Sequence, residues 1–259
     1  MDIKLIESHQ NPLVKEVVSI RDRKKRGGEF MVEGPHLVEA ALAAGASIRL
    51  AFFLGDGHRS LVRKLVKTGA RVFEVSQRVL NKLTGTETPQ GILGVVSIKQ
   101  SAIKDIKTRS GPVVILDGVQ DPGNVGTIIR TADAAGASAV VLLQGTADAF
   151  SQKTLRASSG SIFNIRIISA QRKTVGDELK ALGMHIVATT LDAHTSIFDA
   201  ELSGSLALVF GNETKGVSPE LRRAAELEVK IPVRGGAESL NVASSAAVAL
   251  YEVMRREKR

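Results

Sequence analysis

The chain has no cysteine among its 259 residues. That excludes disulfide staples, zinc–thiolate centres, iron–sulfur clusters and any thiol nucleophile. Aromatic side chains are scarce, with eight Phe, one Tyr and no Trp. Stacking of bases on an aromatic platform is therefore not the main grip on a nucleic acid. No apolar run reaches the roughly 18 residues needed to cross a bilayer. The opening MDIKLIESHQ carries acids and polar groups and no apolar signal region. These features predict a soluble, cytoplasmic protein with no membrane partner. Neither G-x-G-x-x-G nor G-x-x-x-x-G-K-[ST] occurs, which argues against a nucleotide-phosphate loop and against a dehydrogenase.

What is abundant is positive charge, and it is unevenly placed. The net charge is +8 with a pI near 9.8, which favours a polyanionic partner. Residues 1–110 hold 19 basic against 11 acidic residues, whereas residues 111–259 hold 16 of each. The whole excess sits in the first part of the chain. Its densest cluster is Arg21, Arg23, Lys24, Lys25 and Arg26, broken only by Asp22. Such a cluster can neutralise several phosphates at once, so these five residues are the candidate nucleic-acid contacts.

The apolar pattern predicts two domains. Over residues 1–98, helical stripes alternate with short apolar runs: a helix from Asn11-Pro12, a strand at 30–32, a helix over 35–44 and a strand over 48–54. A helix over 59–67, a strand over 71–75, a helix over 76–83 and a strand over 92–98 complete a compact α/β unit. Residues 99–110 are polar, lack apolar periodicity and read as a linker. From residue 111 the strands become continuous apolar runs, at 113–116, 139–143, 165–168, 186–190, 206–210 and 227–231, with helical stretches between them. Such a pattern predicts a parallel sheet covered on both faces. A helix rich in Ala and Ser closes the chain from about Asn241, and its small residues suit a close helix–helix interface.

Three loops of the second domain carry polar side chains beside glycine, each after a predicted strand, where ligands bind in open α/β sheets. The first is Asp121-Pro122-Gly123-Asn124-Val125-Gly126-Thr127, running on to Arg130. Asn124 is expected at the helix N-cap. Thr127, Arg130 and Thr131 share a helix face by their spacing. An ordinary cap followed by a solvated arginine would read the same. The second loop runs Phe210-Gly211-Asn212-Glu213-Thr214-Lys215-Gly216, with Ser218-Pro219 opening a helix. The third is Ile231-Pro232-Val233, a Gly235-Gly236 turn, then Glu238-Ser239-Leu240-Asn241-Val242-Ala243. Capping needs Ser239 or Asn241, not both.

Taken together, N-x-G-x-x-x-R, F-G-N-E-x-x-G and I-P…S-L-N-V-A resemble the three motifs of the SpoU (TrmH-like) RNA 2′-O-ribose methyltransferases. They occur in order across about 150 residues. The first hundred residues resemble that family's ribosomal-protein-like substrate-binding domain, through Ser8-x-x-Asn11-Pro12-x-Val14-Lys15, Phe30-x-Val32-Glu33-Gly34 and Thr88-Pro89-Gln90-Gly91.

The resemblance implies a C-terminal α/β domain with a deep trefoil knot, S-adenosylmethionine as cofactor, and a homodimer. Backbone groups at Gly211, Ile231 and Leu240 would cradle the cofactor, with Thr189 and Thr190 lining the same pocket. Asn124, Arg130, Glu213, Ser239 and Asn241 would form the catalytic set, and no metal is implied. The implied substrate is RNA, 23S ribosomal RNA first and tRNA as the alternative. DNA lacks the 2′-hydroxyl. A guanidinium with pKa above 12 is a poor general base, so Arg130 is better read as stabilising the developing alkoxide, with Glu213 orienting Arg130 or the incoming nucleotide. A non-catalytic RNA-binding protein on this fold would be expected to lack Asn124, Arg130 or Glu213, all of which are present.

Overall fold

A computed structural model of the chain describes residues 3–22, 28–107 and 110–257. The chain divides into two compact units, Met1–Gln100 and Ser101–Arg259.

The first unit runs β1 (Leu5–Ile6), α1 (Pro12–Arg21), β2 (Glu29–Glu33), α2 (Pro35–Ala43), β3 (Ile48–Phe53), α3 (Arg59–Lys67), β4 (Arg71–Val75), α4 (Gln77–Thr84) and β5 (Ile92–Ser97). The strands form one mixed sheet in the order β1-β4-β3-β5-β2. Local chemistry sets the boundaries. Asn11 caps α1 by accepting from Leu13 N ahead of Pro12, and Ser76 caps α4 by accepting from Val79 N. Val14, Val17 and Ile20 of α1 and Leu80 and Leu83 of α4 join Leu50, Phe52 and Leu93 in one core.

The second unit runs β6 (Val113–Asp117), α5 (Pro122–Ala134), β7 (Ala139–Leu143), α6 (Gln152–Ser158), β8 (Arg166–Ala170), α7 (Arg172–Ala181), β9 (His185–Thr189), β10 (Thr195–Ser196), β11 (Leu206–Gly211), α8 (Pro219–Ala224), β12 (Leu227–Lys230) and α9 (Val242–Glu257). The seven-stranded sheet has the order β10-β12-β9-β11-β6-β7-β8, and its pairings are parallel. This is the doubly covered parallel sheet predicted from the continuous apolar runs. β11 lies between β6 and β9, so the strand that precedes the second motif sits beside the strand that precedes the first.

Two expectations change, and a third is met within the chain. Residues 99–110 are not a plain linker: a 3₁₀ turn at Ile103–Asp105 delivers Ile103 and Ile106 into the core of the second unit, where they are buried against residues such as Val113 and Met184. Two isoleucines three apart are too short a signal to stand out within a polar stretch. The N-cap of α5 is Asp121, not Asn124: Asp121 accepts from the backbone N–H of Gly123 and Asn124, with Pro122 in the first turn. The small-residue face of α9 is used inside the chain. Ala243, Ala246 and Ala249 are buried, and α9 packs on α5.

The glycine of the first motif has a packing reason. A Cβ at Gly126 would stand 2.5 Å from the Thr154 carbonyl oxygen and 2.6 Å from the Ala157 Cβ. Only glycine lets α5 approach α6 this closely.

Candidate active site

The loops after β6 and β11 and the segment after β12 converge at the carboxyl ends of the parallel strands. Glu213 joins them. Its carboxylate accepts from Gln120 N at 3.1 Å, Asp121 N at 3.4 Å and Asn124 Nδ2 at 3.0 Å. Burial pushes the Glu213 carboxyl up, but the hydrogen bonds from its own backbone, Asn124, Gln120 and Asp121 outweigh it and hold the pKa below the usual glutamate value. The carboxylate also complements the partial positive charge at the start of α5.

Asn124 is the strut between motifs. Its amide nitrogen donates to Glu213, and its amide oxygen accepts from Asn241 Nδ2 at 3.1 Å. Asn241 in turn opens α9: its side-chain oxygen accepts from Ala243 N and its backbone oxygen from Ser245 N. Asn241 therefore serves as both cap and site residue. Ser239 is exposed and makes no hydrogen bond with the described residues.

A cavity of about 500 Å³ opens beside this network. Its wall includes Thr189, Thr190, Gly211, Ile231 and Leu240, and also Glu213, Ser239 and Asn241. The structure thus brings together every residue expected to hold the cofactor and three of the five expected to act in catalysis. The threonine hydroxyls are engaged elsewhere: Thr189 Oγ1 donates to Val209 O at 2.8 Å and Thr190 Oγ1 to Glu228 at 3.4 Å. At Gly211 a Cβ would stand 2.1 Å from the Gly216 carbonyl carbon and 2.2 Å from Val217 N, so the 211–217 loop folds tightly back on the end of β11. Apolar Ile231 and Leu240 beside exposed backbone and polar side chains, in a cavity within the ~300–1,000 Å³ of small-molecule sites, suit a nucleoside joined to a charged amino acid.

Arg130 stands apart. It is exposed, its side chain makes no hydrogen bond or ion pair with the described residues, and it is absent from the cavity wall. Six residues along α5 put it roughly 9 Å down the axis from Asn124. Glu213 therefore orients the start of α5 and not Arg130.

The expected RNA contacts divide. Arg21 is committed within the first unit: its guanidinium donates to the carbonyls of Lys82 and Leu83 and to Asp22, closing the C-terminal end of α4. Arg23, Lys24, Lys25 and Arg26 lie outside the described residues.

Residues overlooked in the sequence include Asp121 and Lys153, whose side chains meet at 2.6 Å, and Asn212, whose amide donates to Gly118 O at 2.8 Å and whose Oδ1 accepts from Thr214 N and Lys215 N. An Asp before a Pro that opens a helix is a legible cap signal, and it identifies Asp121. Nothing in the sequence pairs Lys153 with it.

Comparison with known proteins agrees with this geometry. Residues 111–251 match the SpoU rRNA Methylase family, and residues 11–94 match the MRM3-like substrate binding domain. The chain belongs to the SpoU rRNA methylase family. It is 39% identical over 253 residues to the 23S rRNA (guanosine(2553)-2′-O)-methyltransferase RlmP of Bacillus subtilis, covering 97% of this chain and 99% of that one. Among solved structures, the AdoMet-bound rRNA methyltransferase from Sinorhizobium meliloti superposes with a TM-score of 0.88 at 36% identity, covering 98% of each chain. The SpoU methyltransferase AviRb from Streptomyces viridochromogenes, in complex with AdoMet, gives 0.86 at 28% identity over 96% of this chain and 99% of that one.

Proposed function

We propose that this SpoU-family protein methylates a ribose 2′-hydroxyl of 23S ribosomal RNA with S-adenosylmethionine, acting in the cytoplasm as a homodimer. The observation that carries the reading is the convergence of Gly211, Ile231, Leu240, Glu213, Ser239 and Asn241 on one cavity. Bound there, S-adenosylmethionine supplies an electrophilic methyl group on a sulfonium.

The chain's own residues do the rest by placement. Backbone groups at Gly211, Ile231 and Leu240 hold the cofactor. The Glu213–Asn124–Asn241 chain fixes the start of α5 against the cavity. Arg130, permanently cationic, stabilises negative charge developing on the ribose oxygen and clamps a neighbouring phosphate. Positioning supplies most of the rate in such a transfer. The first unit, with the basic residues Arg23, Lys24, Lys25 and Arg26, grips the RNA. The deep trefoil knot follows from family membership and is consistent with β11 lying between β6 and β9. The homodimer draws support from the exposed apolar side chains Leu191, Val233 and Leu240 around the cavity.

The test is incubation of the protein with unmodified 23S rRNA, tRNA and methyl-labelled S-adenosylmethionine, followed by nucleoside analysis. The expected product is one 2′-O-methylated nucleotide in 23S rRNA. Label on a base, or on tRNA alone, would overturn the reading.

A further inference from the structure

Strand β6, inside the sheet between β11 and β7, ends on a carboxylate that the proposed chemistry does not use. The Asp117 side chain is fully buried. One oxygen accepts from Arg172 Nε at 2.7 Å, the other from Ser218 N at 2.8 Å. Arg172 opens α7 directly after β8, and its Nη2 donates to Gln144 O, just past β7, at 2.7 Å. One carboxylate therefore ties together the carboxyl ends of four adjacent strands, β11, β6, β7 and β8.

The tie has a specific consequence for the 211–218 loop. Gly211, where the loop leaves β11, is the register partner of Asp117 in the sheet. Ser218, where the loop enters α8, is held by the Asp117 side chain. A single residue thus pins both ends of the segment that carries Glu213 and lines the cavity. A wholly buried carboxylate is costly unless paired and fully hydrogen-bonded, and an apolar pair of similar size would be at least as stabilising. What an apolar pair could not do is accept the Ser218 N–H and align two loops by hydrogen-bond geometry.

We propose that Asp117 and Arg172 are positioning residues: they set the 211–218 loop, and through it the cofactor cavity and Glu213, without touching substrate. The proposal rests on the assignment of Gly211 and Glu213 to the active site.

The experiment uses the full chain and three variants, Asp117→Asn, Arg172→Ala and Arg172→Lys. Each is assayed below its own melting temperature for cofactor affinity, single-turnover methylation at saturating cofactor and RNA, and RNA affinity. Glu213→Gln is carried as a reference. The expected result is a rate reduced about 10- to 100-fold in folded Asp117→Asn and Arg172→Ala, because small displacements of reacting groups have effects of that size. Cofactor affinity falls as well, while RNA affinity stays within about twofold because the cation cluster is untouched. Arg172→Lys keeps a cation beside the carboxylate but loses the second donor to Gln144, so its rate falls between the parent's and that of Arg172→Ala. If Asp117→Asn does not fold, the two Arg172 variants decide the matter. Folded variants with parental cofactor affinity and rate would overturn the proposal and leave the tie purely structural. A parent protein that neither binds cofactor nor methylates RNA would instead remove the functional reading.

Discussion

Asn124 and Asn241, 117 residues apart in sequence, share a hydrogen bond of 3.1 Å from the Asn241 amide nitrogen to the Asn124 amide oxygen. Because Asn124 Nδ2 is donated to Glu213, both ends of this one amide are committed. Its orientation is fixed by one donor and one acceptor that come from different loops.

That arrangement makes Asn124→Asp a sharper probe than truncation. The substitution keeps the shape but sets a second carboxylate at about the position 3.0 Å from Glu213 where the amide stood. Two carboxylates so close repel when both are ionised, which raises the pH at which one of them takes up a proton and can again donate to the other. We expect methylation to fall about 10- to 100-fold near neutral pH and to recover partly on acidification. Asn124→Ala should show the loss without the acid recovery. Initial rates across pH for both variants test this.

In the parent protein, Glu213 works in the opposite sense. Its pKa is lowered on folding, so its stabilising contribution is fully present above the unfolded-state value and is lost as pH falls through the lower folded-state value. Cofactor affinity should therefore owe no pH dependence to this group from about pH 8 to about pH 5, and weaken only below the ordinary glutamate range. Calorimetric titration of the parent and Glu213→Gln would show it: the acid limb belongs to the parent and disappears in the variant.

Among the described residues the Arg130 side chain has no partner to lose. Arg130→Ala should leave stability within about 0.5 kcal/mol and cofactor affinity near parental, while abolishing methylation. Arg130→Lys should also fail, because a point charge does not replace a planar fork. Near-normal turnover by the lysine variant would refute a bidentate role. If Arg130 serves the partner's cavity in a homodimer, refolding Arg130→Ala together with Leu240→Arg should restore about a quarter of parental activity, since mixed dimers then carry one intact site. A dead mixture, with mixed dimers confirmed by mass spectrometry, would show self-contained sites.

The boundary between the units yields a stability prediction. Ile103 and Ile106 are buried in the second core. A fragment beginning at Ser101 should be more stable than one beginning at Gly111, by about 1.5–3 kcal/mol for each isoleucine buried. Both should bind RNA more weakly than the full chain and with a smaller salt dependence, because all of the excess cations are missing from the shorter fragment and most of them from the longer. Chemical denaturation and RNA titration at two salt concentrations measure the two effects.

At the α5–α6 contact, Gly126→Ala has nowhere to put its methyl group: the nearest atom is a backbone carbonyl oxygen of α6. Overpacking of this kind costs about 1–3 kcal/mol. Thermal unfolding should report it, and activity should fall with it because α5 carries both Asn124 and Arg130.

The fold was legible where a run of one period is bounded by strong punctuation. The helix Arg59–Lys67 and the strands Arg71–Val75 and Ala139–Leu143 match their expected limits. It was not legible at β10, whose two residues carry no period, nor at the 3₁₀ turn that buries Ile103. The gathering of Gly211, Ile231 and Leu240 on one cavity was legible as a family pattern. The wiring was not. Glu213 binding the start of α5, Arg21 closing α4 and Asp117 reaching Ser218 are long-range hydrogen bonds. They depend on which strands become neighbours, and no local spacing encodes that.

The position of β11 between β6 and β9 also has a consequence in time. β6, β7 and β8 follow one another in sequence and can pair as they are made, whereas β11 must enter beside β6 about ninety residues later. Until it does, β6 has an unsatisfied edge and Asp117 has no Ser218 to hold. Loop closure over such a span must come before the contacts that reward it, so assembly of the site is a late and slow event in folding. A nascent chain halted before Leu206 would expose the edge of β6, four of whose five residues are apolar, and this is the stage at which the protein would depend most on a chaperone.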